Sequence, residues 1–362
     1  MRRLIAAALL LSCTRRHAVG PSTIEQKYLR DPAFRRATLV ASVGDQDNAY
    51  ARLRRQNLAA WEKLPEYNPE PIPISPAARR GDRAALRELG AQAFVRYPNQ
   101  LAPRGAVEGE HGMRHLVPAR LADGTSKLAF SCATCHSDGT TMGAPSQEID
   151  LGALITTNAP DMDPARREAF LAWGKGRLDV TTDVATEVAR IADLRAVRFQ
   201  KRLQHAGAVK HEGVASLALR IETLLIGSHS HALRPPREIA LGLAVYLESL
   251  GENLPPVPTG TEGARVFADT CAKCHEGEGL VGDWVKVDEV GTDPVLARSL
   301  DRGTGHYRIP SLRGVSTRGM LLHDGSVTLV GLLDPERVGG HTFGKRLTPT
   351  ARAALLAFLQ SL

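Results

Sequence analysis

Two stretches of the 362-residue chain decide its reading: Cys132-Ala133-Thr134-Cys135-His136 and Cys271-Ala272-Lys273-Cys274-His275. Each sets two thiols three residues apart and an imidazole directly after the second. The fifth cysteine, Cys13, stands alone near the N-terminus. A paired-thiol redox centre uses the same spacing but does not demand the following His. Four cysteines can also hold zinc, but Cys135 and Cys271 lie far beyond the usual ligand spacing. The pattern fits covalent haem attachment. Two thiols reach the two vinyl groups of one porphyrin, and the next residue, His, falls under the iron. Its other ring nitrogen then needs a partner, usually a backbone carbonyl, to fix the tautomer. Cys132, Cys135, Cys271 and Cys274 are therefore read as attachment points of two covalently bound haem c groups. His136 and His275 are read as the proximal iron ligands.

The composition agrees with a globular chain. Apolar residues make up 43% and charged residues 23%, which excludes disorder, collagen and coiled coil as readings of the whole. The 33 Gly and 22 Pro predict substantial loop. Aromatic residues are only 5%, a thin supply of large core groups that a bulky apolar cofactor would supplement. The length suits two domains. The formal charge of +7 falls to +5 once Arg2 and Arg3 are removed, and the propionates of two haems bring it near neutral. With no basic tract interleaved with aromatics, nucleic acid is not expected as a partner.

Residues 1–13 read as an export signal. Met1-Arg2-Arg3 is basic, and Leu4 to Leu11 is an apolar run too short to span a bilayer. Leu10-Leu11-Ser12-Cys13 resembles the lipobox of bacterial lipoproteins, which implies a lipid anchor on Cys13. A plain cleaved signal and a cytosolic start are the alternatives. The expected location is periplasmic, with membrane contact only through that anchor.

Residues 14–80 read as an N-terminal extension: a helix over Asn48–Lys63, then a Pro-rich linker, Pro65 to Pro76. Residues 81–250 and 259–362 form two units joined by Gly251 to Pro258. The fold class expected is mainly α, with two cytochrome c-like helical haem domains in tandem and long irregular loops. The units read as an internal repeat. Each runs from a helix through CxxCH and an irregular stretch to a closing helix. The closing helices end Tyr246-Leu-Glu-Ser-Leu250 and Phe358-Leu-Gln-Ser-Leu362. Gly227-Ser228-His229 and Gly339-Gly340-His341 precede them. Thr348 is the expected N-cap of the last helix, with Pro349 in its first turn.

The last unit, with Gly263 and Phe267 before its CxxCH and an amphipathic closing helix, resembles class I cytochrome c domains. Tyr307-Arg-Ile-Pro-Ser-Leu-Arg-Gly-Val315 followed by Leu322-His-Asp-Gly-Ser326 resembles the bacterial dihaem cytochrome c peroxidase and MauG superfamily. Ala172-Trp-Gly-Lys-Gly-Arg-Leu-Asp179 resembles, more distantly, a segment of dihaem rubber oxygenases. The resemblance covers residues 81–362 and implies two haems and a cytochrome-like C-terminal unit. It implies a Met or Tyr ligand in the stretch where Leu333-Asp-Pro-Glu-Arg337 stands here. The chain departs from the family at that ligand, so peroxidase activity is not carried over.

The sixth iron ligand decides the function, because an iron with two protein ligands moves electrons and one with an open face binds peroxide or oxygen. The repeat favours His229 for the first haem, against His231, His115 and His111, with Met142 too close to His136. It favours His341 for the second, against Met320, His323 and His306; His323, beside a turn, fits a pocket residue better than a ligand. His205 and His211 lie in a basic stretch and are expected in solvent. Trp173 is expected to be a core residue. Arg308, Arg313, Arg234 and Arg237 are candidates to pair with propionates.

The leading expectation is an exported dihaem cytochrome that transfers electrons between redox protein partners. The alternative is a dihaem peroxidase or oxygenase with one open haem, its catalytic residues unassigned. A module in which the haems are merely structural is the third.

Overall fold

The computed structural model describes residues 22–69, 71–121, 123–179 and 187–362. The signal and Cys13 lie outside the described residues. Helices α1 (Ile24–Arg30), α2 (Pro32–Val43), α3 (Ala49–Trp61), α4 (Pro76–Arg79) and α5 (Arg83–Arg96) open the chain. Side-chain caps set their starts: Asp31 accepts from Ala33 and Phe34 N–H, Asn48 from Ala51, Asp82 from Ala85. Then follow α6 (Cys132–Cys135), α7 (Leu151–Thr157), α8 (Pro164–Leu171), α9 (Val214–Ser228), α10 (Arg237–Leu250), α11 (Glu262–Thr270), α12 (Val287–Val290), α13 (Leu329–Leu332) and α14 (Pro349–Gln360). Thr348 caps α14 through Ala351 N–H, with Pro349 at its start.

The fold is not purely helical. Five small antiparallel sheets are present among the described residues. Strands β1 (Gln100–Leu101), β2 (Leu116–Arg120) and β3 (Ser126–Phe130) form one, in the order β1-β3-β2. The others are two-stranded: β4 (Arg177–Asp179) with β5 (Val188–Arg190), β6 (Arg202–Leu203) with β7 (Val209–Lys210), β8 (Trp284–Lys286) with β9 (His306–Arg308), and β10 (Met320–Leu321) with β11 (Val327–Thr328). The expectation of irregular loops therefore needs correction. Pairing supplies hydrogen-bond partners for the backbone N–H and C=O groups of these short strands.

Two large apolar cores stand apart. One collects Tyr28, Leu39, Tyr50 and Leu58 of the N-terminal helices with Phe94, Leu217, Leu243 and Leu247. Residues 22–80 thus share a core with α5, α9 and α10. Buried polar ties reinforce this: Tyr28 Oη donates to Glu222 at 2.6 Å, and Arg35 pairs with Glu62. The second core holds Val266, Phe267, Leu355, Phe358, Leu359 and Leu362.

In each core the opening and closing helices cross at a glycine. A Cβ on Gly90 would lie 1.9 Å from the Gly242 carbonyl oxygen, so α5 and α10 touch backbone to backbone. A Cβ on Gly263 would lie 2.2 Å from the Ala354 carbonyl oxygen, where α11 meets α14. One turn later an aromatic pair follows: Phe94 with Tyr246, centroids 5.4 Å apart, and Phe267 with Phe358, 5.2 Å apart. The stretch after each CxxCH also repeats, with bridges Ser137–Met142 and Glu276–Val281. The units differ between helix and CxxCH. Cys271 caps α11 directly, whereas the β1–β3 sheet separates α5 from Cys132.

Candidate haem-binding sites

The first CxxCH sits on the single turn α6. Ser131 and Thr134 form a capping box, and both hydroxyls donate to the His115 carbonyl at 2.9 Å. That turn brings Cys132 and Cys135, three apart, to one face. His136 leaves the turn with φ −112° and ψ 44°, and its Nδ1 lies 2.9 Å from the Ala192 carbonyl. Donation from Nδ1–H fixes the tautomer and leaves the Nε2 lone pair available to a metal. Burial holds the imidazole down at about 4, so it is neutral at pH 7. Burial also pushes the Cys132 thiol to about 12 and Cys135 to about 11. A thiol redox pair needs the opposite shift. No cluster of three or more His, Cys, Asp or Glu able to hold a metal ion occurs among the described residues.

His229, at the end of α9, packs its ring on Tyr67 at 4.6 Å near the Pro98 backbone, while its buried Nε2 has no hydrogen-bond partner among the described residues. His231 is exposed and stacked on Trp61 at 5.6 Å. His111 and His115 lie in the loop whose carbonyls bond Asp150 and the α6 cap. Met142 is held in the bridge to Ser137.

The second CxxCH opens onto a cavity of about 190 Å³. Cys271, Cys274 and His275 line it, and so do His341 and Phe343. His275 is 8% exposed, with Nδ1 3.2 Å from the Leu280 carbonyl and the Pro310 carbonyl also against the ring. Burial first, and the neighbouring His341 second, lower it to about 4. The two imidazoles are therefore neighbours in one cavity. His341 adopts φ 55°, the left-handed region that side chains avoid, and its buried Nδ1 has no hydrogen-bond partner. Met320 is 39% exposed and lines a separate small cavity with Arg177 and Gly325. His306 stacks on Trp284 and bonds the Thr304 carbonyl. His323 stacks on Tyr307 at 4.1 Å, with Nε2 3.0 Å from Tyr307 Oη, and both line the main cavity.

The charge lining this cavity tests the fit of a haem. Arg190, Arg308, Arg318, His205 and His323 all face it. Burial, then repulsion from Arg318, lowers Arg190 to about 9 and Arg308 to about 10. Among the described residues the Arg190 guanidinium donates only to the Leu322 and Ile191 carbonyls, and the Arg308 guanidinium makes no hydrogen bond. Asp193 lies near both, but neither makes a salt bridge to a carboxylate among the described residues. Two buried guanidiniums with no bonded carboxylate, two thiols and two imidazoles inside leucine walls are groups that would fit a haem's propionates, vinyls and iron.

Several sequence expectations change here. Arg313 donates to the carbonyls of Glu278 and Leu254, Arg234 pairs with Glu66 and Arg237 with Glu62. Of the four arginines considered for propionates, Arg308 alone lines the cavity. His205 and His211 are not in solvent. His205 lies in the loop of the β6–β7 hairpin and His211 directly follows it, and each bonds a carbonyl, that of Arg190 and of Gln200. Trp173 is buried against Phe170, as expected of a core residue. Arg190, Asp193 and Arg318 were invisible to sequence reasoning, since no motif distinguishes them from other charges.

Asp193 links the two sites. It follows Ala192, the carbonyl partner of His136, and it pairs with Arg318 at 2.9 Å and Arg195 at 2.7 Å. Arg318 in turn lines the second cavity.

No family model matches the chain, and no curated protein matches it in sequence. Among solved structures it is similar to a hydrazine synthase of Kuenenia stuttgartiensis pressurised with xenon, at 14% identity, covering 84% of this chain and 91% of that one, with a TM-score of 0.42. It is also similar to a MauG-like protein associated with microbial copper homeostasis, at 16% identity, covering 83% and 92%, with a TM-score of 0.42.

Proposed function

We propose that this chain is a dihaem c-type cytochrome that transfers electrons between redox protein partners. One observation carries the reading: His275 of a CxxCH and His341 of the repeated Gly-x-His line the same leucine-walled cavity. A haem held there supplies an iron that cycles between ferric and ferrous states, by outer-sphere transfer when two imidazoles bind it. The chain's residues do the rest. Cys132, Cys135, Cys271 and Cys274 fix position. The Ala192 carbonyl orients His136. His341, and by the repeat His229, would be the second iron-binding imidazoles. Arg190 and Arg308 would pair with the propionates, and the leucines would keep water out. On this reading the chain is exported to the periplasm and held by a lipid on Cys13, as the pattern of residues 1–13 implies.

The test is the pyridine haemochrome of the purified protein, which should report two c-type haems per chain. Loss of one upon Cys271→Ala with Cys274→Ala should leave the other intact. A protein with no haem, or with bound zinc, overturns the reading.

One observation favours the peroxidase or oxygenase alternative. Tyr307 and His323 form a stacked, hydrogen-bonded pair on the cavity wall. Such a pair can move a proton at a substrate oxygen. Steady-state turnover of hydrogen peroxide with a reduced donor separates the two. Electron transfer predicts none, and turnover that Tyr307→Phe abolishes establishes the enzyme.

A further inference from the structure

Tyr50 on α3 is ringed by three guanidiniums. Arg54 lies over its ring at 3.1 Å, with Arg302 at 5.5 Å and Arg220 at 5.9 Å. They converge from α3, α9 and the 299–303 loop. The loop is bound to the start of α3 by backbone bonds from Ala49 to Leu300 and from Tyr50 to Asp301. Asn48 Nδ2 donates to the Gly303 carbonyl at 3.1 Å. Tyr50 is 4% exposed and Arg54 7%.

The charges do not balance. Asp301 faces the cluster, pairing with Arg302 at 3.3 Å, which leaves Arg54 and Arg220 with no salt bridge among the described residues. Mutual repulsion adds to burial in lowering Arg54 and Arg302. The hydrogen bonding is unbalanced in the same sense. Tyr50 Oη, Arg54 Nε and Arg220 Nη1 are buried with no partner. All three can donate, and no orphan acceptor accompanies them at this cluster. Buried cations and orphan donors are costly unless paired. None of the four residues lines the cavity at Cys271 and Cys274.

We propose that Tyr50, Arg54, Arg220 and Arg302 bind a small oxyanion, such as inorganic phosphate or sulfate, that clamps the N-terminal helices to the 299–303 loop. Several acceptor oxygens on one anionic centre satisfy converging donors in a way that chloride cannot. A carboxylate from haem is the other source of the same chemistry, and it would keep phosphate out.

The test is equilibrium dialysis of the full-length holoprotein against radiolabelled inorganic phosphate, in chloride at constant ionic strength. One saturable phosphate per chain is expected, displaced by sulfate. Arg220→Gln and Tyr50→Phe should each weaken it about tenfold or more, as the loss of a hydrogen bond to an ion does. Arg52→Gln, an exposed residue of the same helix, should leave it unchanged. Thermal unfolding gives a second readout that does not depend on full recovery of the variant. Without phosphate Arg220→Gln should melt no lower than the parent, because repulsion is relieved. With phosphate only the parent should gain. Absence of saturable binding, or binding indifferent to both substitutions, overturns the proposal.

Discussion

Replacing Asp193 with Asn is expected to weaken the fold and shift the balance between the two haem sites. The Asp193 side chain is 2% exposed and that of Arg318 is 3% exposed. Its carboxylate takes Arg318 Nε at 2.9 Å, Arg195 Nε at 3.0 Å and the Arg195 backbone N–H at 2.9 Å. Arg318 spends its other nitrogens on the Ser311 and Arg313 carbonyls. Asn keeps the shape but removes the charge, leaving Arg318 buried without an anion. Removing one member of a buried pair costs about 3–5 kcal/mol. Against an ordinary stability of about 5–15 kcal/mol, that is a large fraction.

A second estimate comes from protonation. Burial acts to raise the Asp193 carboxyl, but Arg318 and Arg195 outweigh it and hold the group at about 2, below the ordinary 3.8. That depression corresponds to roughly 2–3 kcal/mol. A carboxyl with a lowered native pKa contributes fully above about pH 4, and the contribution fades as pH falls through about 2. The parent should therefore lose stability between pH 4 and 2 more steeply than Asp193→Asn. Urea unfolding at pH 7 and at pH 3 measures both effects. Removing the negative charge near His136 should also raise the midpoint potential of the first haem, read by redox titration of the same sample. A loss under about 1 kcal/mol at pH 7, with both potentials unmoved, refutes the reasoning.

Other substitutions probe other parts of the account. Gly90→Ala and Gly263→Ala should each destabilise by about 1–3 kcal/mol in thermal unfolding, because the new Cβ meets backbone oxygen at the helix crossings. Equal stability would mean the crossings yield freely. Arg308→Gln should lower the midpoint potential of the second haem, since a buried cation that disfavours ferric iron is lost; an unchanged potential would place the propionates elsewhere. His341→Ala should convert only the second haem to a high-spin absorption spectrum, and no spectral change would remove His341 from the ligand set.

Helices α3, α5, α10 and α14 were legible because their signals are local, whereas α2 and α9, the longest helix among the described residues, were not read from the sequence. Asn48, Asp82 and Thr348 cap helices that the apolar spacing predicts. The internal repeat was legible in the motifs themselves, although the matching of Gly90 and Phe94 with Gly263 and Phe267 needed the helix crossings to give it meaning. The strands were not legible. Pairs such as β6–β7 are two residues long, too short for an alternating pattern, and only tertiary contact stabilises them. That is also why His205 was misjudged: its neighbours are basic in sequence, yet the hairpin turns it against Arg190 and the cavity. The cysteines and histidines proposed to hold the haems carry a fixed spacing that the sequence displays. Arg190, Asp193 and Arg318 act through contacts between residues more than a hundred positions apart, which no local pattern encodes.

The central claim is that each iron takes two imidazoles from this chain. The low-temperature electron paramagnetic resonance spectrum of the fully oxidised holoprotein tests it most directly. The account predicts two low-spin ferric signals, one per haem, and electron transfer as the function. A stoichiometric high-spin signal would contradict it, by showing that one iron keeps an open face for peroxide or oxygen.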